Sequence, residues 1–495
     1  MSKSIAKNIL AKGTLNVFNI LLPLLVTPYV YRVLGPSGIG SVEYSNTLYA
    51  YFGMLGLLGI YNYGLREISA NRNNPTKVRE IYKNLFVIQI FSNLIVLGCY
   101  VLFILFCIKD PILRTISFIL CGNLISQLFY VEWMNEAFEE FQFITIKTVI
   151  VRVLSTVAIF LLIKSSGDIL RYVSILVITL FVNYSISFIY AYNRNIRIPL
   201  RDLFKRLSPG HYIVPLLFIL LLNNTGILYT VVDRTMLGYY VGTDSVAMFS
   251  IGQKIVEIAK TLLLSIIFAT LPRMSLYLRE NKQLYEEGII KIMHLTLMLV
   301  IPASIGLFML SEQVILIFGG SQYLPAVPSM RIFSLRILLL SIEAVLYNQI
   351  IFLHRKEKVL IVFNLICGGL NIILNFIFIK YFSPLVAIST TLCAEIVFES
   401  LCIWYIKKNM DLKLGIMEKY VARYLFASLL FIPIIIIIKA VLDSTILRVL
   451  CSIVICGGLY TIILFVFGKN DKILVDVRCY ISNFFSRNRL KKLIE

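Results

Sequence analysis

The sequence predicts an all-α polytopic membrane protein: fourteen transmembrane helices, forming two pseudo-symmetric six-helix lobes plus two C-terminal helices, with both termini cytoplasmic. Three observations predict it. Hydrophobic residues fill 59% of the 495 positions and the mean hydropathy is +0.85, far outside the range of soluble chains. Apolar runs of about 20 residues, the length that crosses roughly 30 Å of hydrocarbon, recur fourteen times. A short motif also returns six spans later.

Span 1 starts near Gly13 and sets Asn16, Asn19, Pro23 and Thr27 on one face. Pro23 removes a helix hydrogen bond, which predicts a kink. The run is too long for a cleavable signal peptide and lacks a small-residue cleavage site after it. Spans 2 to 6 begin near Gly38, Ile81, Ile112, Ile144 and Ile169; span 7, from Tyr212, spaces Asn223, Thr230 and Arg234 at i, i+7 and i+11. Span 8, from Ser245, contains "FSIGQKIVEIAKTLLLSIIFATL" (249–271), with Lys254, Glu257 and Lys260 inside it. Its apolar residues favour insertion by roughly 0.3–0.6 kcal/mol each, whereas a charge near a helix centre costs about 2.5–3.5 kcal/mol. Alone it inserts poorly. Ser250, Lys254, Glu257, Lys260 and Thr261 share one broad face, so they form either the wall of a hydrated cavity or a Lys–Glu pair with a second, snorkelling Lys.

Span 9 starts near Gly288, and span 10, from Ala326, aligns Arg336 with Glu343. Span 11, from Val359, repeats Asn364, Asn371 and Asn375; span 12, from Pro384, places Glu395 and Glu399 at i, i+4. For each polar stripe the alternative reading is hydrogen bonding between helices. Spans 13 and 14 start near Val421 and Thr445. The tail "VDVRCYISNFFSRNRLKKLIE" (475–495) alternates apolar with basic residues, as an interfacial cytoplasmic helix or a partner-docking helix does.

Orientation follows from Lys and Arg, which cytoplasmic loops retain. With the N-terminus inside, thirty-three of the 47 fall on the inner side, eight at outer loops and span ends, and six within the membrane: Arg152, Arg234, Lys254, Lys260, Arg331 and Arg336. The inner loop with Glu136, Glu139 and Glu140 departs from the rule, with Lys147 as its single cation. The net charge of +20 is this bias plus attraction to anionic headgroups, which excludes a nucleic-acid reading. The nine Cys have no paired spacing, and His211, His294 and His354 are far apart; no metal site and no cofactor is expected. With no GxxxxGK[ST] loop, energy comes from a gradient, a partner or the downhill flow of substrate.

The repeat pairs "YRVLGPSGIGSV" (31–42) with "DRTMLGYYVGTDSV" (233–246), offset by 202 to 204 residues. The inner loops that follow, 66–84 and 272–291, correspond loosely. A six-span period keeps both copies in one orientation, with an axis along the membrane normal, a design of transporters with a central site.

The stretches "TPYVYRVLGPSGIG" (27–40), "GIYNYGLREIS" (59–69) and "VVDRTMLGYYVGTDSVAMFSIGQKI" (231–255), with the fourteen-span layout, resemble the Wzx-type flippases of lipid-linked oligosaccharides, in the polysaccharide exporter branch of the multidrug/oligosaccharidyl-lipid/polysaccharide exporter superfamily. The resemblance implies an N-lobe (1–203, spans 1–6), a C-lobe (204–406, spans 7–12) and an appended segment (407–495), enclosing a cationic cavity. It implies as cargo an undecaprenyl-diphosphate-linked repeat unit, flipped to the outer leaflet of a bacterial cytoplasmic membrane for O-antigen, capsule or exopolysaccharide assembly. Its implied partners are that lipid-linked oligosaccharide, membrane lipids, and polysaccharide polymerase and chain-length machinery.

The residues agree with that cargo in one respect. A diphosphate needs cations inside a wet cavity; Arg234, Lys254, Lys260 and Arg336 are candidates for it, with Asn223, Asn16 and Asn19 for sugar hydroxyls. Asp233, Glu257, Glu343, Glu395 and Glu399 would hold the cations apart or bind a coupling H+ or Na+. Three rival functions remain: a lipid II or teichoic-precursor flippase, an H+- or Na+-coupled drug antiporter with an acidic centre, and a membrane polymerase or acyltransferase. The short outer loops and lack of a catalytic constellation argue against an enzyme.

Overall fold

A backbone leaving water must satisfy its own N–H and C=O groups, and an α-helix does so within one segment. The computed structural model describes residues 2–196, 207–224, 227–378, 381–416 and 418–467, leaving aside the side chains of 2–12, 14, 16, 17, 20, 195, 196, 221–230, 262, 263, 265, 266, 269 and 467. Among the described residues the ordered elements are all helices. Nine are long and apolar enough to cross a membrane: Pro75–Cys107, Pro111–Ala137, Phe141–Leu162, Ser166–Arg194, Lys282–Met309, Glu357–Ile377, Pro384–Asn409, Lys419–Val441 and Thr445–Val466. They coincide with predicted spans 3 to 6, 9 and 11 to 14. The other predicted spans are helical too but are not among the nine; span 10 carries Arg331, Arg336 and Glu343 within Val327–Ala344. The amphipathic tail at 475–495 lies outside the described residues.

The chain divides into two compact units: Met1–Ser250 with Ile372–Ala387, and Ile251–Asn371 with Ile388–Glu495. The first contains α1 (Ser2–Leu57), α2 (Ile60–Asn71), α3 (Pro75–Cys107), α4 (Pro111–Gln127), α5 (Glu132–Ala137), α6 (Phe141–Leu162), α7 (Ile169–Ala191), α8 (Gly210–Asn224) and α9 (Ile227–Tyr240). Predicted spans 1 and 2 are both in α1, whose helical course breaks at Gly35 (φ 68, ψ 177), a left-handed conformation that only glycine adopts cheaply. Pro23, Pro28 and Pro36 all sit inside α1, and the residue that leaves helical geometry is the one just before Pro36, where the proline ring disfavours the α conformation. Helix α1 packs on α3, α4 and α6, and α7 on α4 and α6.

The acidic segment from Glu132 to Glu140 is explained by its partners. Lys147 on α6, 5% exposed, donates to Glu132 (2.8 Å) and to the Ser187 hydroxyl (2.5 Å). Tyr61 donates to Glu136 (3.0 Å), Arg72 to Glu139 (2.7 Å), and Tyr190 to Glu140 (3.0 Å), which also pairs with Arg194 (3.1 Å). Lys147, assigned from the sequence to a loop, is therefore a buried ion-pair residue. Breaking such a pair strands a charge in a low-dielectric interior.

The second unit is built from the body of α10 (Thr243–Glu280), then α11 (Lys282–Met309), α12 (Ser311–Gly319), α13 (Val327–Ala344), most of α14 (Glu357–Ile377) and of α15 (Pro384–Asn409), α16 (Lys419–Leu429), α17 (Phe431–Val441) and α18 (Thr445–Phe467). Its core joins Tyr285, Met293, Leu297, Tyr424, Ile435 and Tyr460. Pro302 lies inside α11 and has no N–H for the carbonyl four residues earlier. That carbonyl, on Met298, instead accepts from the Tyr460 hydroxyl at 2.7 Å.

One turn occurs twice. Before α6, Phe138 N–H donates to Met134, Glu139 to Glu136 and Glu140 to Asn135; before α14, His354 donates to Ile350, Arg355 to Phe352 and Lys356 to Ile351. Each partner lies 216 residues further on, and Glu139 (φ 61) and Arg355 (φ 57) share the left-handed conformation that ends helices in this way.

Candidate functional site

In the first unit the two motif copies pack against each other. A Cβ at Gly40 would stand 2.0 Å from the Thr243 carbonyl oxygen, and one at Gly238 would stand 2.1 Å from the Tyr44 ring. Only a bare Cα permits either approach. That packing sets α9 beside α1 and brings Arg234 Nη1 to 3.3 Å from Glu43, with both side chains partly exposed at 18% and 26%. From the next residue of α9, the Thr235 hydroxyl lies 3.2 Å from that of Tyr51 on α1. Asp233 is fully buried and accepts from Asn375 Nδ2 at 2.7 Å. Arg152 donates to the Asn19 side chain, joining α6 to α1.

In the second unit α10 presents Lys254 and Lys260 half-buried, with Glu257 exposed between them. Glu257 is held by Gln253 (3.2 Å); among the described residues no carboxylate forms an ion pair with either lysine. Arg336, 6% exposed, grips Glu395, 3% exposed, through Nε at 2.9 Å to both oxygens and Nη2 at 2.6 Å. Its hydrogen-bonded partner is thus on α15, whereas the sequence aligned it with Glu343 on its own helix. Glu343 lies within electrostatic range of Lys260, Glu395 and Arg336, and Glu399 within range of Glu343 and Glu395. Glu399 is 7% exposed, and its Oε1 is buried without a hydrogen-bond partner among the described residues.

The structure therefore gathers Lys260, Arg336, Glu343, Glu395 and Glu399 into one group, and places Arg234 with Glu43 and Asp233 with Asn375 in the other unit. Asn371 reaches Thr391 (3.3 Å), the interhelical bond that was the alternative reading of that stripe. Asn16 and Asn223 have side chains outside the described residues. Sequence reasoning missed Glu43 and Gln253. The signal for Glu43 was present, because an isolated carboxylate inside an apolar span requires a cation.

Chemically, the second unit offers two ammonium groups that no described carboxylate ion-pairs, beside a closed guanidinium–carboxylate pair and two further carboxyl groups, one of them within electrostatic range of Lys260. The ammoniums can attract an anion. The carboxyl groups can take up a proton or cation when that anion leaves.

A family model described as "Polysaccharide biosynthesis protein" matches residues 5–278, and one described as MatE matches 215–377. A protein of Escherichia coli (strain K12), provisionally named an O-antigen transporter, is 24% identical over 427 residues, covering 82% of this chain and 97% of its own. A Shigella dysenteriae protein of the same name is 25% identical over 276 residues, covering 54% and 67%. Among solved structures, the lipid II flippase MurJ in an inward closed conformation aligns at TM-score 0.74 and 14% identity, over 93% of this chain and 98% of its own. An outward-facing multidrug resistance MATE family transporter aligns at TM-score 0.53 and 13% identity, over 82% and 94%. At these identities the likeness is one of fold, that of an all-helical, multi-pass membrane transporter.

Proposed function

Because the chain belongs to the polysaccharide biosynthesis protein family, whose model covers more than half of it, we propose that it flips an undecaprenyl-diphosphate-linked oligosaccharide across a bacterial cytoplasmic membrane by alternating access, without catalysing a reaction. The observation that carries the reading is the pair Lys254 and Lys260, half-buried in a polar stretch of α10 and unpaired with any described carboxylate. Cations at such depth are tolerated when they serve an anionic ligand. The two ammoniums receive the diphosphate. Arg234, in the other unit, is held in a partly exposed pair by Glu43 and is a further cation for the cargo, while Arg336 stays with Glu395 and sets the field around Lys260. Glu343, Glu399, Asp233 and Glu257 balance charge in the empty state, and those of the carboxyl groups that take up H+ or Na+ couple the return step.

The finer architecture belongs to the same proposal: fourteen crossings, cytoplasmic termini, and six-span repeats over 1–203 and 204–406 followed by 407–495. The polymer made from the cargo is assembled outside the membrane with polymerase and chain-length partners.

Deleting the protein and analysing lipid-linked saccharides by leaflet tests it. Completed units should accumulate on the inner leaflet. Accumulated lipid II in their place would reassign the cargo, and normal surface polymer with altered drug resistance would make the protein an antiporter.

A further inference from the structure

Two clefts open at the ends of helices joined by the recurrent turn. The first, of about 670 Å³, lies between the start of α6 and the end of α7 and is lined by Phe143, Ile186, Ile189, Tyr190, Asn193 and Arg194. The second, of about 440 Å³, lies between the start of α14 and the end of α15, with Lys358, Val362, Phe363, Trp404, Lys408 and Asn409 in its wall. Both place an aromatic ring one helical turn before a cation and stack the two. The guanidinium of Arg194 lies 5.7 Å from the Tyr190 ring centre and the ammonium of Lys408 lies 4.9 Å from that of Trp404. Tyr190 and Trp404 are 214 residues apart, as are Arg194 and Lys408.

The clefts differ in charge at one place. In the first, Glu140 from the turn reaches in: its carboxylate pairs with Arg194 (3.1 Å) and accepts from Tyr190 (3.0 Å). The protein thus supplies its own anion there. In the second, the equivalent turn positions hold Arg355 and Lys356 where the first has Glu139 and Glu140. Among the described residues no carboxylate pairs with Lys358 or Lys408. Segments 355–358 and 407–413 carry six cations against Glu357 and Asp411.

We propose that the second cleft seats the headgroup of an anionic glycerophospholipid, whose phosphate takes the place that the Glu140 carboxylate occupies in the first. Basic pockets between helices at a membrane surface hold such headgroups, and tryptophan sits at the headgroup level. A lipid rather than a free phosphate fits because the outer walls are apolar and open: Val362 and Trp404 are each 53% exposed, giving acyl chains a surface beside the lysines. The inference is independent of the cargo assigned above.

Native mass spectrometry of the purified full chain, titrated with dioleoyl phosphatidylglycerol, dioleoyl phosphatidylcholine or inorganic phosphate, tests it. The wild type should retain one phosphatidylglycerol preferentially. The double variants Lys358→Gln/Lys408→Gln and Lys358→Glu/Lys408→Glu should lose that preference by roughly thirtyfold, the loss of two lysine contacts to an anionic surface. Glu140→Gln should unblock the first cleft and add a second retained phosphatidylglycerol. Equal retention of phosphatidylcholine, competition by inorganic phosphate at matched concentration, or undiminished preference in both double variants would each overturn the proposal. Transport that fails while phosphatidylglycerol is retained would count against the flippase reading alone.

Discussion

Lys254 and Lys260 are the residues on which transport should depend while the fold does not. Neither is tied to a carboxylate among the described residues, so Lys254→Ala and Lys260→Ala should leave folded protein near wild-type level. Removing one charge-assisted contact from a diphosphate, worth about 1.5–3 kcal/mol, should weaken cargo affinity roughly 10- to 100-fold, read as surface polymer yield against membrane protein level. Glu395→Gln should behave in the opposite way. It strands the buried Arg336 guanidinium and should destabilise the second unit by about 3–5 kcal/mol, read as a lowered melting temperature in detergent, with Arg336→Met/Glu395→Leu recovering most of the loss. The sequence made all four residues legible, because charges inside apolar spans stand out. It did not give the partner of Arg336, since i+7 periodicity finds neighbours on one helix and Glu395 comes from another. Glu43 was missed for a related reason: its cation, Arg234, lies 191 residues away along the chain.

At the scale of the helix, the repeated motif was readable as a pattern but not as a contact. Both copies carry glycine because each meets the other's neighbourhood, Gly40 under the Thr243 carbonyl and Gly238 under the Tyr44 ring. Gly40→Ala forces a methyl group onto backbone and should cost about 1–3 kcal/mol as an overpacked core does, visible as reduced yield of monodisperse protein. The tighter contact is to backbone, which cannot swing aside, so Gly40→Ala should be worse tolerated than Gly238→Ala. Likewise Tyr460→Phe leaves the Met298 carbonyl beside Pro302 without its donor. A loss of about 1 kcal/mol is expected, measured by thermal unfolding, and Pro302→Ala should restore it by giving that carbonyl an N–H again. The prolines were conspicuous in sequence, and the break in α1 fell at Gly35, just before Pro36, because a proline disfavours the α conformation in the residue preceding it and glycine takes a positive φ at little cost.

For the whole molecule, composition and run length were enough to identify a polytopic membrane protein, and nine of the predicted spans stand where helices of sufficient length and apolarity are found. The five others carry the motif copies, Lys254 and Lys260, or the Arg336–Glu343 stripe. The orientation rests on the distribution of Lys and Arg; a fluorescent reporter that folds only in the cytoplasm, fused after residue 495, should fluoresce, and a dark fusion with full expression would invert the topology.

The four glutamates at 132, 136, 139 and 140 take partners from α2, α6, α7 and the chain around Arg72 and Arg194. A nascent chain emerging from the ribosome shows the insertion machinery those negative charges before Lys147 or Arg194 has been synthesised. Lys147 meets Glu132 as soon as α6 is made, and Tyr61 and Arg72 precede Glu136 and Glu139, so the α4–α6 hairpin leaves the ribosome with Glu140 alone waiting for the Tyr190 and Arg194 that close it.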